Sequence, residues 1–563
     1  MKSLIISSVL STFAITTVAS AQTTYTVALN GSGDFFTIQG AVDAATDGDT
    51  VLVMPGTYYG LGDEVVDING KNISLISSAG HAFTFIDAEN SRRGITCVNN
   101  NSVVIAGFTI RNGYVTNNGG GMLCQNSSPE IRHCDFYQNT SEDRGGALEL
   151  HASQSYIHDC SFSFSNAQRG GAIHAFNSSV LDIEDCVFSL NAAELGGGIY
   201  TSGGIDGDVV NCEFQLNQAS AAGGGMYMVD TSDPSISNCE FYYNMAPNGD
   251  GGGICTLGDS AIEECTFESN FAYKGGGMYM ATSTTTIVLC EFFENEAEWG
   301  GGLYCVSSNL SIEESNFNEN SARIGGGLYC SGAILTLDSC DFNLNTSSNG
   351  GGAFVGSSCV VEIINCNFIS NVASNTNGFG HGGGLSVFSS NFSSSILLTD
   401  TLFENNLAFS GAGLFLYFCG VEIANCTIIN NHVQLNNGAG GIRCDYSTTT
   451  ELANTIVCDN TPNQIIGSII DSGGNTIGTG CSEPSSDVDG DGDVDISDLL
   501  AVIVKWGTDD PHVDLDADGV VYVSDVLIVV SEWSHSKKNK TKESKKKRDT
   551  KGTSKVESSK RQK

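Results

Sequence analysis

The chain has 563 residues and a formal charge of −39, from 25 Lys and Arg against 64 Asp and Glu. Thirteen of those bases lie between Lys537 and Lys563 beside three acids (Glu543, Asp549 and Glu557), so this tail carries +10 and leaves −49 on the rest. A body that acidic excludes nucleic acid and anionic membrane as ready partners. The 68 Gly, set among regularly spaced apolar residues with only 7 Pro, exclude a disordered chain.

Residues 1–21 have the pattern of an export signal. Lys2 gives the positive start, Leu4 to Val18 the apolar run, and Ala19, Ser20 and Ala21 the small residues before a mature start at Gln22. The run is too short and too rich in Ser and Thr for a membrane anchor. No later segment is apolar for long enough to cross a bilayer, so the expected location is secreted or on the cell surface. Over 22–96 a cap and first coils are expected. Ile38 to Ala45 predicts a short amphipathic helix that covers the apolar end of a stacked array.

From about residue 97 to 480 one unit recurs. Its core is Cys-x-Phe-x-x-Asn, followed by a polar stretch, a glycine triplet, an apolar residue and often Tyr. Phe136, Phe162, Phe188, Phe214, Phe241, Phe267, Phe292, Phe317, Phe342 and Phe368 follow one another at intervals of 25 to 27 residues. Cys134, Cys160, Cys186, Cys212, Cys239, Cys265, Cys290, Cys340 and Cys366 lie two positions earlier, with Ser315 alone out of series. A fixed period of this size is one supersecondary unit stacked on itself. Alternation as in Leu181-Asp182-Ile183, with turn residues every few positions, makes that unit β. The expected fold class is therefore all-β, a right-handed parallel β-helix with an N-terminal cap. Coils about 4.8 Å apart place Phe and Cys inside. Asn139, Asn166, Asn191, Asn217, Asn244, Asn270 and Asn295 are expected as a turn ladder, and the glycines at another corner. The cysteine column reads as buried thiols, because parallel Cα–Cβ vectors fit disulfide geometry poorly. Pairing among Cys359, Cys419, Cys444, Cys458 and Cys481 is left open.

Alternation after the glycines turns Tyr200, Tyr227, Tyr279, Tyr304, Tyr329 and Phe354 outward. Two roles compete for them: a glycan-stacking face, and aromatic stacking that shields a sheet surface.

Two resemblances follow. Val27 to Phe35, Thr37 to Val42, Asp47 to Val51, Pro55 to Tyr58, and Ile105 to Ile110 resemble the opening of pectate-lyase-like β-helix proteins. Gly170-Gly171-Ala172-Ile173 and Phe136 to Asn139 resemble the repeats of chlamydial polymorphic outer-membrane proteins. The first resemblance implies a polysaccharide lyase or hydrolase, and the second an adhesin. The membrane barrel of the second family has no counterpart in this sequence. Lyases of this fold use clustered carboxylates, calcium and a basic residue, and no stretch matches such a motif. Gly380-His381-Gly382 is similar to an element of polygalacturonases, but the paired aspartates that should precede it are absent. The catalytic residues are thus unassigned, and a non-catalytic adhesin or glycan-binding scaffold is the expected function.

Residues 487–534 carry two calcium loops. Asp487, Asp489, Asp491, Asp495 and Asp498 stand at loop positions 1, 3, 5, 9 and 12, with Gly492 at the sharp turn and Asp493 offering its carbonyl. Twenty-seven residues on, Asp514, Asp516, Asp518, the Val520 carbonyl and Asp525 repeat the set, with Tyr522 at position 9 weakening the second loop. Apolar helices are expected over Leu499–Trp506 and Val526–Trp533. The pair resembles a type I dockerin, which implies Ca2+ as cofactor and a cohesin-like protein as partner. Residues 535–563 read as a solvated, disordered Lys-rich tail or as a tether to an anionic wall polymer or polysaccharide.

Overall fold

The computed structural model describes residues 22–99, 102–177, 179–203, 207–230, 234–374, 380–390, 394–434, 438–446, 449–479, 494, 496–508, 513, 521–524 and 526–530. The export signal, Cys481 and the Lys-rich tail lie outside the described residues. The chain divides into two compact units, 1–477 and 478–563.

The first unit is a right-handed parallel β-helix. One coil shows its plan: strands Ser260–Glu263, Thr266–Glu268, Phe271–Lys274 and Met278–Ala281 form sides I, II, III and IV. Each strand pairs in parallel with its equivalents one coil before and after. Ile262 faces Ile236 and Ile287 on side I, and Phe267 faces Phe241 and Phe292 on side II. Sides I, II and IV hold 18, 17 and 16 strands, whereas side III has a sheet of only 10 and a separate pair, so the coil is three-sided near the N-terminus. The interior is one continuous apolar core from Val27 to Val457. Its axis is the phenylalanine column, whose rings stack 4.6 to 5.0 Å apart between Phe136 and Phe403.

Four left-handed residues bend this coil: Glu264 (φ 53°), Ser269 (φ 54°), Gly275 (φ 63°) and Thr282 (φ 54°). A non-glycine residue there costs about 1–2 kcal/mol, and the bend takes the next N–H out of the strand pairing. Side chains one coil on accept it. Cys265 N–H donates to Cys290 Sγ (3.4 Å), Asn270 N–H to Asn295 Oδ1 (3.0 Å) and Ser283 N–H to Ser308 Oγ (3.3 Å). At the third corner the glycines bond backbone to backbone. There Gly223 needs its φ of +65°, while a Cβ on Gly224 would lie 2.4 Å from the Gly252 carbonyl.

The asparagine ladder carries a second bond. Asn270 Nδ2 donates to Phe241 O at 2.8 Å and to Asn295 Oδ1 at 3.0 Å. Asn166 is a correction: it is exposed, and the ladder position in that coil belongs to buried Ser165, whose N–H donates to Asn191 Oδ1. The reason is spacing, because Ser165 lies three residues after Phe162 and Asn166 lies four. Ser315 interrupts the thiol series without interrupting its function, since its Oγ accepts the Cys290 N–H at 3.0 Å. Cys359, Cys419 and Cys444 are buried and outside any disulfide, whereas Cys458 is disulfide-bonded.

The cap forms as its sequence dictates. Thr37 accepts the Gly40 N–H to start helix Ile38–Ala44, which buries Ile38, Ala41 and Val42. Lys71 Nζ closes the other end on Val42 O and Asp43 O. No helix among the described residues is long and apolar enough to cross a membrane.

In the second unit a helix spans Ile496–Val504 and residues 526–530 are helical. Val502, Val513, Val521 and Val529 form its small core, with Val494 against them. Val494 and Val521 are the position-8 residues of the two predicted loops.

Replacing Asn270 by Ala removes the acceptor of the Asn244 N–H and Nδ2 groups and the donor to Phe241 O. The expected loss is about 3 kcal/mol or more, read by denaturant unfolding. Cys265→Ser, which keeps an acceptor, is expected to cost less than Cys265→Val, which fills the space and accepts nothing. Equal losses would show that the column is packing alone.

Candidate functional site

One outward column on side IV joins all six predicted aromatics. In strict register it runs Leu123, Glu149, His174, Tyr200, Tyr227, Cys255, Tyr279, Tyr304, Tyr329, Phe354, Ser386, Phe415 and Arg443. Alternation puts it there, since the residues on either side, such as Met278 and Met280, are buried in the core.

The rings of this column stack on one another. Tyr279–Tyr304, Tyr304–Tyr329 and Tyr329–Phe354 have centroids 5.2, 4.6 and 5.3 Å apart and planes within 10°. A second stack joins His174, Tyr200 and Tyr227 at 4.9 and 5.2 Å. Cys255 separates the two. Ring faces are therefore used by neighbouring rings, and the column presents mainly edges and hydroxyl tips. Among the described residues the Tyr227, Tyr279 and Tyr304 hydroxyls have no protein hydrogen-bond partner, and burial pushes all three up, so they remain protonated donors.

A facing column lies along the far end of side III, before the glycine turn. It contains Arg144, Arg169, Leu195, Ala222, Asp250, Lys274, Trp299 and Ile324. Lys274 Nζ lies 5.8 and 5.5 Å from the Tyr279 and Tyr304 ring centroids, and Trp299 meets Tyr329 edge-on at 5.4 Å. Asp250 pairs with Lys274 at 3.8 Å. This column was not legible in the sequence, because side III has no repeated motif to mark it.

Glu149 and His174, also missed, extend the aromatic column by one period each. Glu149 Oε2 lies 2.9 Å from His174 Nδ1, with side chains 0% and 2% exposed, and Glu149 Oε1 has no partner. Burial pushes the Glu149 carboxyl well above its ordinary range and pulls His174 down to about 3, with Arg144 and Arg169 adding to the second effect. Burial thus favours a neutral pair in which the carboxylic acid donates to Nδ1. His381 belongs to the facing column, where it stacks on Phe415 at 4.2 Å, and is a packing residue.

A separate cavity of about 550 Å³ lies between the cap helix and the loop carrying Tyr59 and Leu61. Its polar groups serve one another, with Gln39 bound to Asp43 and Asp67, and Asn69 to Asp43.

Of the predicted calcium ligands only Asp498 is described, and it is buried. Asp487, Asp489, Asp491, Asp493, Asp495, Asp514, Asp516, Asp518, Val520 and Asp525 lie outside the described residues. Among the described residues no three His, Cys, Asp or Glu side chains converge on a possible metal position.

These features define a β-helix whose outer face carries an aromatic column in a trough between two sides. A sequence profile described as "Right handed beta helix region" matches residues 144–292 and 206–368. No curated protein matches the chain. Solved structures similar to it include the pectin methylesterase from carrot, at 13% identity and TM-score 0.23, covering 57% of this chain and 83% of that one. The A-module of the Azotobacter vinelandii mannuronan C-5 epimerase AlgE4 is similar at 14% identity and TM-score 0.25, covering 64% and 90%. The receptor binding domain of the siphovirus 9NA tailspike is similar at 10% identity and TM-score 0.15, covering 81% and 75%. Likeness at this level concerns the fold alone.

The Glu149–His174 pair gives a signed pH effect. The raised Glu149 value contributes stability below its ordinary 4.5 and loses it as pH rises; the depressed His174 value contributes stability above 6.5 and loses it as pH falls toward 3. Glu149→Gln keeps a donor to Nδ1 and cannot ionise. Its melting temperature is expected to match wild type near pH 4 and to exceed it increasingly from pH 5 to 8. A gap that closes with pH would mean an ionised pair.

Proposed function

We propose that this chain is a secreted or cell-surface scaffold that binds glycans along side IV and is held in a larger assembly by its C-terminal calcium module. The observation that carries the reading is the outward column itself. Six aromatic residues share one register, and the Tyr227, Tyr279 and Tyr304 hydroxyls have no protein partner among the described residues, on a protein whose acidic body disfavours nucleic acid and anionic membrane. Their spacing, about 4.8 Å per coil, comes close to the length of one sugar residue. Binding to a glycan array is expected to fall at least tenfold when Tyr279 and Tyr304 are both changed to Ala. Unchanged binding removes side IV from the reading.

Calcium is the proposed cofactor of residues 487–534, with Asp487, Asp489, Asp491, Asp493, Asp495 and Asp498 in the first loop and Asp514, Asp516, Asp518, Val520 and Asp525 in the second. Support comes from the duplicated core at Val494 and Val521 and from the exposed apolar positions that recur with the same spacing, Leu500 with Leu527 and Ile503 with Val530. Such a face suits a cohesin-like partner. Calcium titration is expected to show two sites, the first tighter, and both lost on deletion of 487–533. Retention of both after the deletion would place calcium on the β-helix.

A second reading, a polysaccharide lyase or hydrolase, is favoured by Glu149 and His174 beside Arg144 and Arg169, since a histidine held by a carboxyl is a proton-transfer arrangement. Their burial keeps both from a substrate atom and ranks this reading second. Release of unsaturated uronates or reducing ends that Glu149→Gln abolishes would reverse the order.

A further inference from the structure

The N-terminal cap holds a cavity of about 550 Å³ between helix Ile38–Ala44 and the turn that follows Tyr58. That turn is built and anchored. Arg92 Nη1 donates to the carbonyls of both Gly60 and Gly62. A Cβ on Gly60 would lie 2.6 Å from Glu64 O, so the tight return into strand Glu64–Asp67 needs glycine there. The two large side chains of the turn are nevertheless left in the open. Tyr59 is half exposed, with no hydrogen-bond partner for its hydroxyl among the described residues, and Leu61 is fully exposed. Both line the cavity.

The rest of the lining is acidic and held in place. Asp43 Oδ1 accepts from Gln39 Nε2 at 2.8 Å and from Asn69 Nδ2 at 3.1 Å, and Asp67 Oδ1 accepts the Asn69 N–H at 2.9 Å. Those bonds fix both carboxylates and use one oxygen of each. Oδ2 of Asp43 and Oδ2 of Asp67 have no donor among the described residues. Glu64 also lines the cavity, but Arg93 at 3.8 Å offsets its charge. Lys71 Nζ binds the Val42 and Asp43 carbonyls and stands outside the lining, which contains no Lys or Arg. The volume falls within the range of about 300–1,000 Å³ that suits small ligands. Two unused carboxylate oxygens in it favour a positively charged donor.

We propose that the cap cavity binds an amino sugar with a free ammonium group, the ammonium on Asp43 and Asp67 and the pyranose ring against Tyr59. The ammonium donates to the two unused oxygens, and the apolar C–H face of the ring packs on the exposed tyrosine. Gln39 and Asn69 bring amide groups to the same cavity for the ring hydroxyls. A uronate is disfavoured, because the same two aspartates repel it. A thin alkylammonium, such as a lysine side chain, satisfies the carboxylates but leaves most of the cavity to water. The site lies apart from the column of Tyr200 to Phe354 and does not rest on the reading of that column.

The test uses the full chain and titration calorimetry with a glucosamine disaccharide, its diacetylated form and a lysine tripeptide. The glucosamine disaccharide is expected to bind about tenfold or more tightly than either of the others. Changing Asp43 and Asp67 together to Asn keeps both Oδ1 acceptors and is expected to weaken that binding about tenfold or more. Tyr59→Ala removes an exposed side chain, and is expected to leave the melting temperature unchanged while weakening binding about three- to tenfold. Binding that survives both changes is general attraction to an acidic body and overturns the site. Equal affinity for the diacetylated form overturns the ammonium contact, and equal or tighter binding of the peptide overturns the sugar. Absence of glucosamine binding by wild type overturns the proposal as a whole.

Discussion

Everything in the first unit depends on how the backbone N–H behind each left-handed corner is satisfied. A parallel β-helix must turn several times per coil, and each turn other than the glycine corner takes one donor out of the strand pairing. Left unpaired in the core, such a donor costs about 1–3 kcal/mol, and the array meets it at up to three corners of a coil. The side chain at the same position one coil on solves the problem. Asparagine does so with a carboxamide oxygen, cysteine with sulfur, and serine or threonine with a hydroxyl. The period of 25 to 27 residues is fixed by this requirement as much as by strand length, because an acceptor one residue out of place meets no donor. The ladder also has a direction and hence an end: Asn460 has no asparagine above it, and its N–H and Nδ2 turn to Gln464 Oε1 instead.

The same register that aligns the ladders aligns everything outside the core. Any residue type retained at one outward position becomes a column about 4.8 Å in pitch, whether or not it has a task. Aromatic residues in such a column stack face to face, which stabilises the sheet surface and hides the faces a sugar would use. Long aromatic ladders on a solenoid are thus self-satisfying over most of their length. Their recognition chemistry is left to tips, edges and interruptions.

This explains what the sequence could and could not disclose. Phe267 and Cys265 were legible as core because they recur with invariant spacing and alternate with polar residues. Asn166 was misread because a serine and an asparagine stand side by side after Phe164, and only the count from Phe162 tells which of the two faces inward. Glu149 and His174 share the spacing of the tyrosines, so their position was available to a count, but their chemistry differs and no aromatic pattern draws attention to them. The facing column was out of reach. Trp299, Lys274 and Asp250 have no repeated identity, and their approach to the tyrosines follows from the path of the glycine turn, which spacing does not specify. In the second unit the duplicated motif carried the reading, and the shared packing of Val494 and Val521 adds a physical link between its halves.

A solenoid built by repetition gains specificity only where its copies disagree. A departure at one position is usually repaired by the neighbouring coils, as Ser315 is repaired in the thiol column by offering the same acceptor. Three departures in adjoining positions are harder to absorb, and the loss of a ring at Cys255, the charged pair Asp250–Lys274 and the bulge at Gly249 are not absorbed. The bulge costs strand pairing on side III. The ion pair costs desolvation where alanine and leucine would have sat, and burial accordingly raises the Asp250 carboxyl against the pull of Lys274. Lys274 offsets part of them by lying over the Tyr279 and Tyr304 rings. The preceding coils carry Tyr200 and Tyr227 in the aromatic column and Leu195 and Ala222 in the facing one, so repetition on this face breaks at the coil of Cys255 and Asp250.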